Sequence, residues 1–221
     1  MFDSFDLSTI SIVKALLIAL ALVIAIVGHE IMHGFVAYRY GDNTAKDNGR
    51  LSINPIKHVD PLGTIVVPLM LFLVGAPFLF GWAKPVPVNM HTVIDNGGYN
   101  GAIGVSLAGV AYNLSLAVFS ALIIGFMGSS VDGVFANFLL YFLLQLTIYN
   151  VVLGVFNLMP IPPLDGSQAL SYIGLKLGST AIARFFNKIE PYGMIILIIV
   201  LVTPLKMIFF VPVSVILSLL F

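Results

Sequence analysis

The sequence contains no cysteine, which excludes disulfides and thiolate metal sites. Charge is almost as scarce, with Asp, Glu, Lys and Arg making up 9% of 221 residues against about 25% in an average soluble domain. Ten basic and ten acidic residues cancel, so no basic excess speaks for a nucleic-acid partner. No soluble domain, repeat or low-complexity tail stands out. Met1 to Leu7 is acidic, and no small-residue cleavage site precedes the first apolar run, which therefore reads as a retained span rather than a removable leader. What fills the chain instead is apolar: 59% of its residues are hydrophobic. This is the composition of a protein whose surroundings are a lipid bilayer.

The apolar runs predict an all-α polytopic membrane fold, a single domain over 1–221 with about five to six transmembrane helices. The first span runs from about Leu7 to Tyr38, the third from about Ala102 to Met127 and the fourth from about Phe135 to Phe156. Two shorter apolar stretches, Tyr192 to Thr203 and about Met207 to Phe221, close the chain and are assigned only to packing. Leu62 to Gly81 is broken by Gly63, Pro68, Gly75 and Pro77, and reads either as a span or as a re-entrant hairpin. Re-entry is preferred on charge placement. It puts the Arg39–Lys57 loop, Lys84 and the Lys176, Arg184, Lys188 cluster on one side, with Asp132 opposite.

Within the first span lies His29-Glu30-Ile31-Met32-His33. Residues four apart share a helix face, so both imidazoles can meet one metal ion, with the Glu30 carboxylate beside it. Two imidazoles suit zinc, and the adjacent carboxylate suits a general base acting on a water that zinc activates. The chain has only four histidines and two glutamates, and two and one of them fall within these five residues. Ionisable groups at membrane depth are costly, roughly 2.5–3.5 kcal/mol each on insertion scales, so they persist where function or pairing compensates. With the helix emerging at Arg39, His33 and His29 lie about 9 and 15 Å inside the boundary at ~1.5 Å per residue.

The fourth span runs into Asn157-Leu-Met-Pro160-Ile-Pro162-Pro163-Leu-Asp165-Gly166, where prolines end the helix at membrane depth. Unpaired backbone there is tolerated where it lines a protein cavity. Asp165 is the natural third zinc ligand, leaving one open position as a catalytic site requires. The competing reading makes it a cap for the helix Gly166 to about Leu175.

Between the first spans, Leu51 and Ile53 alternate with Ser52 and Asn54, which reads equally as a short β-strand or as a plain structured loop. Such a strand can take an extended peptide by edge addition, so Leu51, Ser52, Ile53 and Asn54 are candidate substrate-binding residues. Gly81 to Asn89, with Pro85 and Pro87, is a second extended piece, and Trp82 suits a membrane-interface anchor. Gly97, Gly101, Gly104 and Ala108 form a small-residue ladder opening the third span. Asn113 lies inside that span, where its amide needs a partner in another helix or in the active centre.

The two motifs together resemble the site-2 protease family of intramembrane zinc metalloproteases, peptidase family M50. His29-Glu30-x-x-His33 and Asn157-x-x-Pro160-x-Pro162-x-x-Asp165-Gly166 carry the likeness. Gly49-Arg50-Leu-Ser-Ile-Asn54-Pro55 and His58-Val-Asp60-Pro61-Leu-Gly63 are similar to a compact prokaryotic branch without PDZ or CBS domains. The resemblance covers about residues 20–175. It implies a catalytic core at about 7–175 with C-terminal spans at about 190–221, and a multi-pass protein of the prokaryotic inner membrane with its active site nearer the cytoplasmic side. It further implies His29, His33 and Asp165 on Zn2+, Glu30 as general base, Asn157 orienting substrate or stabilising the oxyanion, and Asn113 on the substrate side. The partners implied are a membrane-spanning peptide or protein substrate and the bilayer. The family's A-G-P-x-x-N stretch here reads Ala108-Gly-Val110-Ala-Tyr-Asn113, with valine in place of proline. Two rivals stand beside this reading. One is a zinc-binding membrane protein that does not cleave, a sensor or inactive homologue. Glu30 argues against it, because a structural zinc site closes all four positions and needs no base. The other is a transporter, which would show a second proline-broken span, with Leu62 to Gly81 as its candidate.

Overall fold

The computed structural model describes residues 7–73, 81–128 and 133–221. The acidic first six residues, Asp132 and residues 74–80 of the 62–81 stretch lie outside the described residues. Helix α1 (Leu7–Arg39) extends 33 residues, about 50 Å at ~1.5 Å per residue, which exceeds the ~30 Å hydrocarbon core. It has no proline and one internal charge before His29, so nothing interrupts it. A short helix α2 (Thr44–Asp47) follows, then turns at Pro55–His58 and Pro61–Val66 leading into α3 (Val67–Leu73). After an extended strap at 81–89 come α4 (Met90–Met127), which breaks at Gly98, and α5 (Val134–Asn157). The chain ends with α6 (Asp165–Lys176), α7 (Ala181–Ile189), α8 (Gly193–Val202) and α9 (Met207–Leu220).

Helices α1, α4 and α5 pack against one another, with α6 laid on α4 and α9 on α5. The main apolar core joins Ala117 of α4 with Val151 and Val155 of α5, Leu197 and Val200 of α8, and Phe209 and Val213 of α9. The 181–202 segment runs through α7 and α8, so it begins earlier than the apolar stretch expected at Tyr192.

By length and composition, 4 helical segments among the described residues can cross a bilayer: 10–39, 90–127, 134–157 and 181–202. The expectation was five to six. The remaining apolar helices, 61–71 and 204–220, are shorter. The ends of the 62–81 stretch meet, because Trp82 N–H donates to Gly63 O at 3.1 Å and Thr64 Oγ1 donates to Trp82 O at 2.9 Å. A full crossing would put these residues a bilayer apart.

The strand expected at Leu51–Asn54 does not form; the described residues contain no strand. Asn54 Oδ1 accepts from Ile56 N–H at 3.0 Å and His58 Nε2 donates to Ser52 O at 2.8 Å, which curls the segment into a turn. Alternation alone supplies no partner ladder, and here local side-chain hydrogen bonds take the backbone instead.

Candidate metal centre

His29 and His33 lie one turn apart on α1, and Asp165 opens α6. Their ligand atoms form a nearly equilateral triangle: His29 Nε2 to His33 Nε2 is 3.1 Å, and Asp165 Oδ2 lies 3.2 and 3.3 Å from the two nitrogens. Among the described residues this is the one group of three or more such side chains able to hold a metal. The alternative role for Asp165, capping α6, is not taken: the helix has no side-chain cap, and Asp165 occupies its first turn.

The far side of each imidazole is committed. His29 Nδ1 lies 2.7 Å from Asn113 Oδ1, and His33 Nδ1 lies 2.7 Å from Val105 O. A carbonyl oxygen only accepts, so Nδ1 of His33 carries the proton. Asn113 Nδ2 donates to Ala25 O at 3.0 Å and to Asn150 Oδ1 at 2.8 Å, so Asn113 Oδ1 is the acceptor and His29 Nδ1 the donor. In its neutral form each ring would therefore turn an Nε2 lone pair toward Asp165 Oδ2, a buried oxygen with no hydrogen-bond donor. Three lone-pair donors facing one another repel unless a cation lies among them. The spacing fits zinc: bonds of about 2.0–2.1 Å in tetrahedral geometry separate adjacent ligand atoms by about 3.3 Å.

Helix α4 supports this arrangement with one face, because Val105, Gly109 and Asn113 recur every four residues. Val105 and Asn113 hold the imidazoles. Gly109 makes room for one, since a Cβ there would sit 2.5 Å from the His29 ring. On the other side, Gly166 lets α6 start against the end of α5; its Cβ would lie 2.1 Å from Leu158 O. The D-G pair thus combines a ligand with the close approach that delivers it.

In front of the triangle is a cavity of about 660 Å³. Glu30, Asn157, Ser106 and Gln168 bring polar groups to it, among apolar walls from Leu153, Phe156, Met194 and Leu197. Glu30 Oε2 accepts a hydrogen bond from Val86 N–H at 2.9 Å. Asn157 lies beside them and spends one amide proton on Leu153 O at 3.0 Å.

Asn113, expected on the substrate side, is 0% exposed and sealed behind His29. Its contacts go to His29, to Ala25 O of α1 and to Asn150 of α5. Leu51, Ser52, Ile53 and Asn54 are likewise not among the cavity walls, and Ile53 is 89% exposed. The extended piece in the wall is the strap, which contributes Gly81, Trp82, Ala83, Pro85, Val86 and Val88. Sequence reasoning also passed over Asn150, 0% exposed in α5, although an amide inside an apolar span is the same signal that marked Asn113.

Over 191 residues, 85% of this chain and 81% of the other, the chain is 37% identical to the Bacillus subtilis protein named "Putative zinc metalloprotease YwhC". It belongs to the same family. It is also 32% identical over 178 residues to "Putative zinc metalloprotease Rip2" of Mycolicibacterium smegmatis, covering 80% of this chain and 62% of that one. The Rip2 of Mycobacterium tuberculosis is 32% identical over 143 residues, 64% of this chain and 51% of its own. The chain thus spans between half and two thirds of the Rip2 proteins. No family model and no solved structure matches it.

Proposed function

We propose that this protein is an intramembrane zinc metalloprotease of the site-2 protease type, which hydrolyses peptide bonds of membrane-embedded substrates. The observation that carries the reading is the convergence of two Nε2 lone pairs and one carboxylate oxygen at tetrahedral spacing, open on one side to a cavity that also holds an acid–base carboxylate. The relatives' names support the metal and the reaction class. The helix lengths and the depth of the histidines in α1 support a site below the membrane surface.

His29, His33 and Asp165 would hold zinc, which when bound supplies Lewis acidity that polarises a carbonyl and brings the pKa of a coordinated water toward ~7. Glu30 faces the same space as the open side of the triangle. It takes a proton from the attacking water and passes it to the leaving amine nitrogen as the C–N bond breaks. The second amide proton of Asn157 is free of Leu153 and can donate to the carbonyl oxygen as charge develops there. The apolar walls limit bulk water. A helical carbonyl is already hydrogen-bonded within its own chain, so cleavage sites should carry helix-destabilising residues.

The test is the purified full chain reconstituted in lipid with a single-span model substrate, compared with Glu30→Gln. The variant should keep zinc and lose about 10²–10⁴-fold in rate, the range of general acid–base catalysis. Undiminished cleavage by Glu30→Gln removes the mechanism. Bound zinc without cleavage by the native chain favours the sensor.

A further inference from the structure

Glu30 is a flexible side chain asked to present one oxygen to water, and a main-chain group holds the other. Val86 N–H donates to Glu30 Oε2 at 2.9 Å. Pro85 and Pro87 flank it and have no N–H, while Lys84 N–H is taken by His58 O at 2.9 Å. Val86 therefore carries the one backbone N–H from 84 to 87 that is left for Glu30, set between two residues of fixed φ.

The strap that carries it is pinned along its length. Trp82 is tied to Gly63 and Thr64, as described above. Lys84 O accepts from Arg50 Nη2 at 2.7 Å, and Asn89 N–H donates to Asp42 Oδ2 at 2.7 Å. The Val86 side chain is 7% exposed and fills the notch at Gly34, where a Cβ would sit 2.7 Å from its Cγ1. Gly34 is four residues after Glu30 on α1, so the side chain and the N–H of Val86 both register on one helix face.

We propose that Val86 is the positioning residue for Glu30: its N–H, aimed by the proline-flanked strap, fixes Oε2 and leaves Oε1 to face the reacting water. The inference rests on Glu30 being the general base. Its energetic basis is preorganisation, because a small misplacement of a catalytic group can cost about 100-fold in rate.

Val86→Pro deletes the donor where prolines already stand on both sides, whereas Val86→Ala keeps it and removes two methyl groups. In vesicles with the model substrate, kcat of Val86→Pro should fall about 10- to 100-fold below that of Val86→Ala, with KM within about threefold and equal zinc content. Equal kcat in the two variants overturns the inference. Thermal unfolding supplies a readout without turnover. The Tm gap between the two variants should close in a Glu30→Ala background, and a gap that persists in full also overturns it. If Val86→Pro does not fold, Pro87→Gly loosens the strap and keeps the donor; kcat should drop at unchanged zinc content, and native kcat sinks the idea. Failure of the native chain to show Glu30-dependent cleavage would overturn the proposed function together with this inference. Glu30-dependent cleavage with matched Val86 variants would overturn this inference alone.

Discussion

The two sides of the metal centre are built on opposite plans. Behind the histidines, Asn113 and Asn150 are fully buried and their amides are bonded to His29, to Ala25 O and to each other, with Leu146 O completing the chain at 2.8 Å. In front, Glu30 and Asn157 each hold a single bond to the backbone and otherwise face the cavity. A buried amide network is stable only when every member is satisfied, so the rear admits one arrangement and fixes the imidazoles in it. Groups that must exchange protons or hydrogen bonds with a substrate need capacity to spare. The contrast separates residues placed to hold a metal from residues placed to act beside it.

Three experiments would break or sharpen that division. Asp165→Ala removes one corner of the triangle and should abolish stoichiometric zinc, as metal analysis of the purified chain would show. Asn113→Leu strips His29 of its acceptor and leaves Asn150 Oδ1 without a donor; zinc affinity should fall about 10- to 100-fold, the usual cost of losing a partner that orients a ligand. A cavity-wall change such as Gln168→Ala should instead alter KM a few-fold, about 1 kcal/mol or less, at native zinc affinity. If the wall change cost zinc and the Asn113 change did not, front and rear would have been misassigned.

At the end of the strap the effect falls on stability alone. Burial disfavours an ionised Asp42, but Thr44 Oγ1, Thr44 N–H and Asn89 N–H outweigh it and hold the carboxyl below the usual carboxylate range. A folded pKa below the unfolded ~3.9 means stability that is complete above that pH and lost as pH falls through the folded value. Asp42→Asn should therefore cost about 1 kcal/mol at neutral pH, measured by unfolding, and the difference should begin to shrink only as pH falls below ~4. Zinc content should not change.

Local rules explain which parts were legible in the sequence. His29, Glu30 and His33 declare themselves because four-residue spacing on a helix is itself geometry, and the prolines before Asp165 mark where a span must break. The apolar runs show the long helices for the same reason. Leu51–Asn54 misled because period-two alternation describes a strand only if a partner strand exists, and Asn54 and His58 bend the chain before one can. Asn113 was visible as a buried amide, but its partner sits 84 residues away, so whether it served helix packing, metal or substrate was a tertiary question. The Val86 contact leaves no trace in residue identity, because the group that acts is a backbone N–H that most residues possess.

The meeting of Gly63 and Trp82 has a consequence for how this architecture can vary. Inserting one residue between His29 and His33 would rotate one ligand by about 100° and dismantle the centre. An excursion whose ends touch returns the chain to its starting point whatever its contour, and doubling its length adds only about 0.6 kcal/mol of closure entropy. Added length between Thr64 and Trp82 would thus cost little, while the strap and every helix after it keep their register.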